Sequence, residues 1–449
     1  MEVLTSILNF FDTVLWSSPL IYISIFVGLL YTVGLKGFQV RYLKQMVNSV
    51  FEKSADSESS TSFEAFALTV AARVGTGNIV GVATAIAAGG PGAVFWMWVT
   101  ALLGASTAFV EAALAQKYKE PDPLYGGYHG GPAYYIHHFV EAKTGKTLRH
   151  SLTASLFAIS GLICWCGISQ VISNSVSSAF ANAFRIPPIV TTILLVLLAA
   201  VIVLRKNATI KVLDIMVPIM AVGFFLLTLF IILVNLPKLP SVFSRIFSEA
   251  FGMRQAVSGG FGAVLMNGVK RGLFSNEAGS GSAPCAAAAA QSKDPVRTGL
   301  TQSLGVLIDT IVICSCTAMI MLLVPEELTS GLTGMDLLQT AMQYHLGYAG
   351  VIFIAVTLAL FSFSTFIGIL FYARSNVAYL FGNRWCYQTA YKVLALIMLF
   401  IGGLEQYTVV WDLGDVGIGL MTLFNIAVLY PMSKEALELL KQYEENKNL

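Results

Sequence analysis

The sequence predicts an all-α polytopic membrane protein with about eleven transmembrane helices, two of them discontinuous. Three observations lead there. Of 449 residues, 56% are hydrophobic and only 12% charged, against about 25% charged in soluble domains; mean hydropathy is +0.73. Apolar runs of roughly 20 residues, the length that crosses a bilayer, recur along the whole chain. Two of the runs are interrupted at membrane depth by Gly, Asn and charge: AARVGTGNIVG from Ala71 to Gly81, and NGVKRGLFSNEAGSGSAP from Asn267 to Pro284. An unpaired backbone group costs several kcal/mol in lipid, so irregular backbone at that depth persists only where protein buries it or it lines a cavity.

Taken in order, the runs fall near 14–36, 65–89, 92–117, 151–182, 187–205, 212–235, 252–290, 299–324, 349–381, 389–402 and 408–431. The seventh is too long for one straight crossing and holds the second break. With the N-terminus outside, 20 Lys and Arg fall in inward loops and 4 in outward loops, while Arg73, Lys270 and Arg271 fall inside the membrane. This bias sets the C-terminus inside. Each broken run is followed by four more, and the two broken runs cross in opposite directions, the arrangement of a 5+5 inverted repeat. The expected organisation is an extra helix at 14–36, repeat one at 62–235, repeat two at 248–431 and a cytoplasmic tail at 432–449. The N-terminus lacks a basic segment and carries Glu2 and Asp12, so no signal peptide is expected. The inward loop from Lys117 to His150 holds Gly126, Gly127, Gly130, Gly131 and Pro132, then Tyr134 and Tyr135. It reads as a turn followed by an interfacial helix with aromatic anchors.

Helix ends inside the membrane carry chemistry. In the first break an inner half ends near Ala71 to Val74, freeing carbonyls that suit a small cation. An outer half begins near Asn78, and its free N–H groups suit a carboxylate. In the second break the outer half is expected to end near Asn267 and Gly268 and the inner half to begin near Ser275, with released carbonyls for a substrate ammonium. Opposed dipole ends fit a zwitterion better than a sugar or a simple anion. Gly75, Gly77 and Gly81 miss the dinucleotide-binding spacing and follow no strand. Close helix packing explains Gly77 and Gly81, but not Arg73 and Asn78 beside them.

Charges inside the membrane are functional candidates by default. Arg73, Glu111, Arg271, Glu277 and Asp309 qualify, either as gating groups or as structural ion pairs. Asp412 and Asp415 read as solvated at the outer end of the last helix. Ser362, Ser364 and Thr365 in the ninth run offer oxygens for sodium beside the Ala71 and Val74 carbonyls, or bond their own helix. The six cysteines make no disulfide scaffold, and the five histidines all lie in loops.

The stretches RVGTGNIVGVATAIAAGGPGAVFWMW, EAALAQKY, GGPAYYI, RGLFSNEAGSGSAP and FSFSTFIG resemble those of the alanine or glycine:cation symporters (sodium:alanine symporters). The resemblance implies a LeuT-type inverted-repeat core, co-transported sodium and a small neutral amino acid. It implies that Thr76, Gly77, Asn78 and Phe274 meet the substrate, with the positions of Gln170, Ile172 and Ile369 lining the pocket. It also implies that Ala71, Val74, Ser364 and Thr365 hold sodium. The bacterial inner membrane is the location it implies. Three places depart from the family pattern. Ile172 stands where the family has Gln, with Gln170 displaced by two; Ile369 stands where it has Trp; and Arg374 replaces an acid. The two isoleucines point to a pocket for a larger apolar side chain.

A net charge of +2 gives no reason to expect a nucleic-acid partner. An enzyme needs a nucleophile and base, or metal ligands, at membrane depth; no His lies in a span, so none is expected. A channel needs charge rings or a filter loop, whereas the breaks occur once per half of one chain. The remaining reading is a carrier in the lipid bilayer, sodium-coupled or, with Glu277 and Asp309 titrating, proton-coupled.

Overall fold

The computed structural model describes residues 2–16, 18–51, 70, 73–205, 211–251, 260–290, 292 and 294–447. Two helices open the chain, α1 (Glu2–Leu15) and α2 (Ser18–Gly34), followed by the short α3 (Phe38–Arg41) and α4 (Leu43–Phe51). Beyond the first break come α5 (Val82–Gly89) and α6 (Gly92–Lys117), then a hairpin of β1 (Glu120–Pro121) and β2 (Tyr128–His129). The first half continues with α7 (Pro132–Thr144), α8 (Leu152–Phe184), α9 (Pro188–Val203), α10 (Lys211–Val234) and α11 (Leu239–Ala250). The second half begins with α12 (Gly260–Asn276), α13 (Ala283–Ala289) and α14 (Pro295–Leu307), the last passing through a π segment, Ile308–Cys314, into α15 (Ser315–Leu322). It ends with α16 (Glu326–Thr329), α17 (Gly334–Leu346), α18 (Tyr348–Phe381), α19 (Trp385–Gly402) and α20 (Tyr407–Lys447).

Among the described residues, seven helices are long and apolar enough to cross a bilayer, or eight if α10 and α11, bent by 79° at their junction, count as one span. These match eight of the expected runs. The second and seventh are interrupted by the breaks, and their residues 65–69, 71–72 and 252–259 lie outside the described residues. The fifth is only the 16-residue α9. Helix starts follow local chemistry. The Ser151 hydroxyl accepts the Ala154 N–H at α8, and Asp294 accepts the Val296 and Arg297 N–H groups ahead of Pro295 at α14.

α6 packs on α14, and α8 on α18. The α8–α18 pairing is antiparallel. The Asn376 amide donates to the Ala158 carbonyl at 3.3 Å, and the Trp165 and Tyr372 rings lie 6.0 Å apart. α20 packs along α8 at glycines, and a Cβ on Gly167 would stand 2.6 Å from the Gly414 nitrogen.

Several elements differ from expectation. The first run, 14–36, is essentially α2, and α1 adds a helix ahead of it, with Trp16 buried just after α1. The outward loop after the sixth run is helical: Gly92 packs on the α11 backbone, and Trp96 donates to the Ala250 carbonyl. The last helix continues through Pro431 to Lys447. Tyr134 and Tyr135 are buried, not interfacial. Tyr135 donates to the Asn425 side chain and Tyr134 to the Ser375 carbonyl, so α7 is fastened to the helix bundle by buried hydroxyls.

Candidate functional site: a junction of two broken helices

The first break is stabilised by Asn78. Its Oδ1 accepts the Gly75 N–H at 2.8 Å, satisfying a donor that the kink leaves free. A π turn, Gly77–Gly81, then leads into α5. A Cβ on Gly75 would lie 1.8 Å from Thr365 Oγ1. Only glycine lets this backbone rest on α18.

The second break lies further along the chain than Asn267 and Gly268. α12 runs unbroken to Asn276, and α13 starts at Ala283. Gly268 and Gly272 do not break the helix. They let it approach α6, where Cβ atoms would stand 2.5 Å from Trp96 Cβ and 2.2 Å from Thr100 Oγ1. The chain turns at Glu277 with φ 57°, an unusual left-handed conformation for a residue with a side chain. Asn276 Oδ1 accepts the Ala278 N–H at 3.0 Å. Glu111 on α6 holds the loop that follows. Its Oε2 accepts the Gly279 N–H at 2.9 Å, and its Oε1 accepts from Asn425. Glu111 therefore fastens the turn through hydrogen bonds.

The breaks meet. A Cβ on Gly77 would be 3.3 Å from the Phe274 ring and 3.4 Å from Ser275 Cα. Both breaks also bond to one carboxylate. Asn78 Nδ2 donates to Asp309 Oδ1 at 2.6 Å, and the Ser275 hydroxyl donates to Oδ2 at 2.7 Å. Thr310 adds a third donor at 3.0 Å, and Cys314 Sγ lies 3.4 Å from Asn78 Nδ2. Asp309 is 1% exposed and sits in the π segment between α14 and α15. Such bulges recur at functional sites. The hydrogen-bond donors around it are all neutral, and the Arg73 guanidinium lies within electrostatic reach.

Two hydroxyls of α18 face the first break. Thr76 Oγ1 and Ser362 Oγ are 2.9 Å apart. Thr365 Oγ1 overlies Gly75 while donating to the Phe361 carbonyl at 3.0 Å; Ser364 bonds the same carbonyl at 2.8 Å. The Thr365 hydroxyl, as a donor in its bond to Phe361, still has acceptor capacity. Val74 is buried at the kink, and Ala71 lies outside the described residues.

The remaining charges divide into two groups. Arg73 and Glu277, each on a break, are buried within electrostatic reach of each other and of Tyr372. Arg73 Nη1 donates to the Gln302 carbonyl at 2.9 Å. Its Nε and Nη2, like Glu277 Oε2, have no hydrogen-bond partner among the described residues. Arg271 makes a two-point pair with Asp415, at 2.9 and 2.7 Å. Asp415 is thus not a solvated helix-end charge; it is 1% exposed. Lys270 joins it at 2.9 Å and also binds Asp12 of α1.

The pocket-lining expectations separate. Gln170 faces α19, donating to Met398 Sδ at 3.3 Å, with its Cα against Gly402; it does not face the breaks. Ile172 lies two turns beyond Trp165 on the face of α8 toward α18. The antiparallel register sets it level with Ser362 and Thr365. Ile369 is fully buried one turn from Thr365. Sequence reasoning missed Trp411. Its ring lies 4.9 Å from that of Phe274 and under the Arg271 guanidinium, against Gly81. Its Nε1 is buried without a hydrogen-bond partner among the described residues.

A helical membrane protein whose two broken helices meet at a buried carboxylate has the architecture of a secondary carrier. The comparisons name the family. The model of the sodium:alanine symporter family matches residues 1–449. A probable sodium/glutamine symporter, GlnT of Bacillus subtilis, is 40% identical over 450 residues, covering 99% of this chain and 92% of that protein. A sodium/alanine symporter, AgcS of Methanococcus maripaludis, is 33% identical over 449 residues, covering 98% and 97%. A manganese transporter of Eremococcus coleocola shares the fold at a TM-score of 0.52 with 12% identity, covering 86% of this chain and 83% of that one. The chain belongs to the sodium:alanine symporter family. It is a membrane amino-acid:cation symporter and not an enzyme.

Proposed function

We propose that this protein takes up a small neutral amino acid with sodium by alternating access. The convergence of Asn78 and Ser275 on Asp309 carries this reading, because it joins the free ends of both broken helices at one buried point. The substrate carboxylate is bound at the N–H groups beside Thr76, Gly77 and Asn78. Phe274 packs its side chain, and Ile172 and Ile369 add apolar surface. Sodium is held by the carbonyls of Ala71 and Val74 and the hydroxyls of Ser364 and Thr365, a hard oxygen set. Residues 14–36 form the extra helix, 62–235 and 248–431 the inverted repeats, and 432–449 a cytoplasmic tail. The N-terminus faces outward from a bacterial inner membrane. Equilibrium binding of labelled alanine to the purified protein tests this. Binding is expected to tighten as sodium replaces choline; sodium-independent binding overturns the reading.

One observation favours a second reading. The hydrogen-bond donors to Asp309 are neutral, and Arg73, though within electrostatic reach, donates no hydrogen bond to it among the described residues, so the carboxylate suits a proton as well as a metal cation. Proton coupling predicts binding that tightens with acid pH at constant sodium.

A further inference from the structure

Asp12, Lys270, Arg271 and Asp415 form a compact set of two cations and two anions. Lys270 Nζ lies 2.8 Å from both Asp12 oxygens and 2.9 Å from Asp415 Oδ2. Arg271 takes both oxygens of Asp415. Asp412, half-buried nearby, is within electrostatic reach of all four but makes no ion pair with them among the described residues. Trp16, the residue just after α1, touches the set twice more: its Nε1 donates to the Asp415 carbonyl at 3.0 Å, and Lys270 lies 5.7 Å from its ring centroid. The set sits directly over the junction. Arg271 stacks at 4.4 Å on Trp411, which in turn packs on Phe274 of the second break and against Gly81 of the first.

We infer that α1 is part of a gate: Asp12 supplies the fourth charge of an ion-paired lock that holds Trp411 down over the substrate. Without Asp12, Asp415 is the one carboxylate left in ion-pair contact with Lys270 and Arg271, and the more distant Asp412 offsets the loss only in part. A buried cation that loses one of its carboxylate partners is disfavoured. The set relaxes by opening, so that Lys270 and Arg271 reach water. Arg271 and Trp411 lift away from Phe274, and the junction opens on the side where α1 lies. Removing one charge of each sign keeps the charge balance of the wild type. The double variant Asp12→Asn, Lys270→Met retains the Arg271–Asp415 pair and closes again.

The inference rests on the substrate lying between the breaks, and the test reads the two separately. Cys314 lies at the junction, beside Asn78 and Ser275. Its alkylation by a membrane-impermeant maleimide is followed by peptide mass spectrometry in intact cells expressing the full chain. Asp12→Asn is expected to raise the rate about tenfold, as a tenfold shift in open-state population does. Asp12→Glu stays near the wild-type rate, and the double variant returns to it. Trp16→Phe, which removes the indole hydrogen bond without touching a charge, gives a smaller rise. The lock is overturned if neither single variant speeds alkylation, or if the double variant stays as open as Asp12→Asn. In the wild type, saturating alanine with sodium is expected to slow alkylation. If it does not, the substrate site is misplaced, while the comparison of variants still decides the lock.

Discussion

Asn78 and Asp309 are 231 positions apart in sequence and 2.6 Å apart in space, and this one hydrogen bond ties the first helix break to the π segment of the second half. The same Asn78 accepts the Gly75 N–H. A single side chain therefore both satisfies the kink and reports to it what happens at the carboxylate.

Replacing Asn78 by Ala is expected to remove a hydrogen bond to a charged group and leave the Gly75 N–H unpaired. Bonds to charged groups are worth about 1.5–3 kcal/mol, so alanine affinity falls by roughly 10–150-fold. Equilibrium binding measures this. A loss below about threefold, under 1 kcal/mol, shows that Asn78 is peripheral.

Gly75→Ala is expected to abolish sodium-dependent binding, because the new methyl group meets Thr365 Oγ1. Thr365→Ala alone raises the sodium concentration for half-maximal binding. The double variant Gly75→Ala, Thr365→Ala regains structure and thermal stability but retains the weakened sodium response. A normal sodium response in Thr365→Ala removes this hydroxyl from the ion site.

The pocket is expected to admit side chains larger than that of alanine. Gln170 is committed to α19, so it does not restore polarity beside Ile172 and Ile369. Each added methylene in an apolar pocket gains roughly 1–3 kcal/mol. A competition panel of glycine, alanine, serine, valine, leucine and methionine checks this. Valine or leucine competing, and competing less after Ile369→Trp, is the expected result. Competition by glycine and alanine alone contradicts it.

Acid is expected to loosen the β1–β2 hairpin. Burial pushes the Asp122 carboxyl up, but the His129 ring, the Tyr125 and Leu124 N–H groups and Arg374 outweigh it and hold the group below its usual range. A lowered value stabilises the fold above the unfolded carboxylate value of about 3.9, and that contribution is lost as pH falls through the folded value. Asp122→Asn therefore melts lower than wild type near neutral pH, by roughly 1 kcal/mol. The difference closes below about pH 4. A gap in melting temperature that is independent of pH shows that the carboxylate charge is not responsible.

The sequence made the breaks legible, because Gly, Asn and charge in an apolar run conflict with every local preference of a membrane helix. The first was placed correctly. The second was placed too early, because Gly268 and Gly272 look like helix breakers until Trp96 and Thr100 of α6 are seen against them. Intramembrane charges were legible as candidates, but their partners were not. Arg271 finds Asp415 144 positions away, and no local pattern records such a pairing. Asp415 read as a helix-end charge because the seam between α12 and α20 that buries it exists only in the assembled fold. Gln170 and Ile172 are two positions apart and therefore face different neighbours on one helix. Which of them meets the junction depended on the α8–α18 register.

The most direct test is uptake of labelled alanine into proteoliposomes under an inward sodium gradient, an inward proton gradient, or neither. A transmembrane potential of about 100 mV gives ~2.3 kcal/mol per sodium charge, so roughly fifty-fold accumulation is within reach. Saturable accumulation is expected with the sodium gradient alone, and it disappears in Asn78→Ala. Equal uptake in sodium and choline, or accumulation driven only by protons, contradicts sodium coupling at this junction.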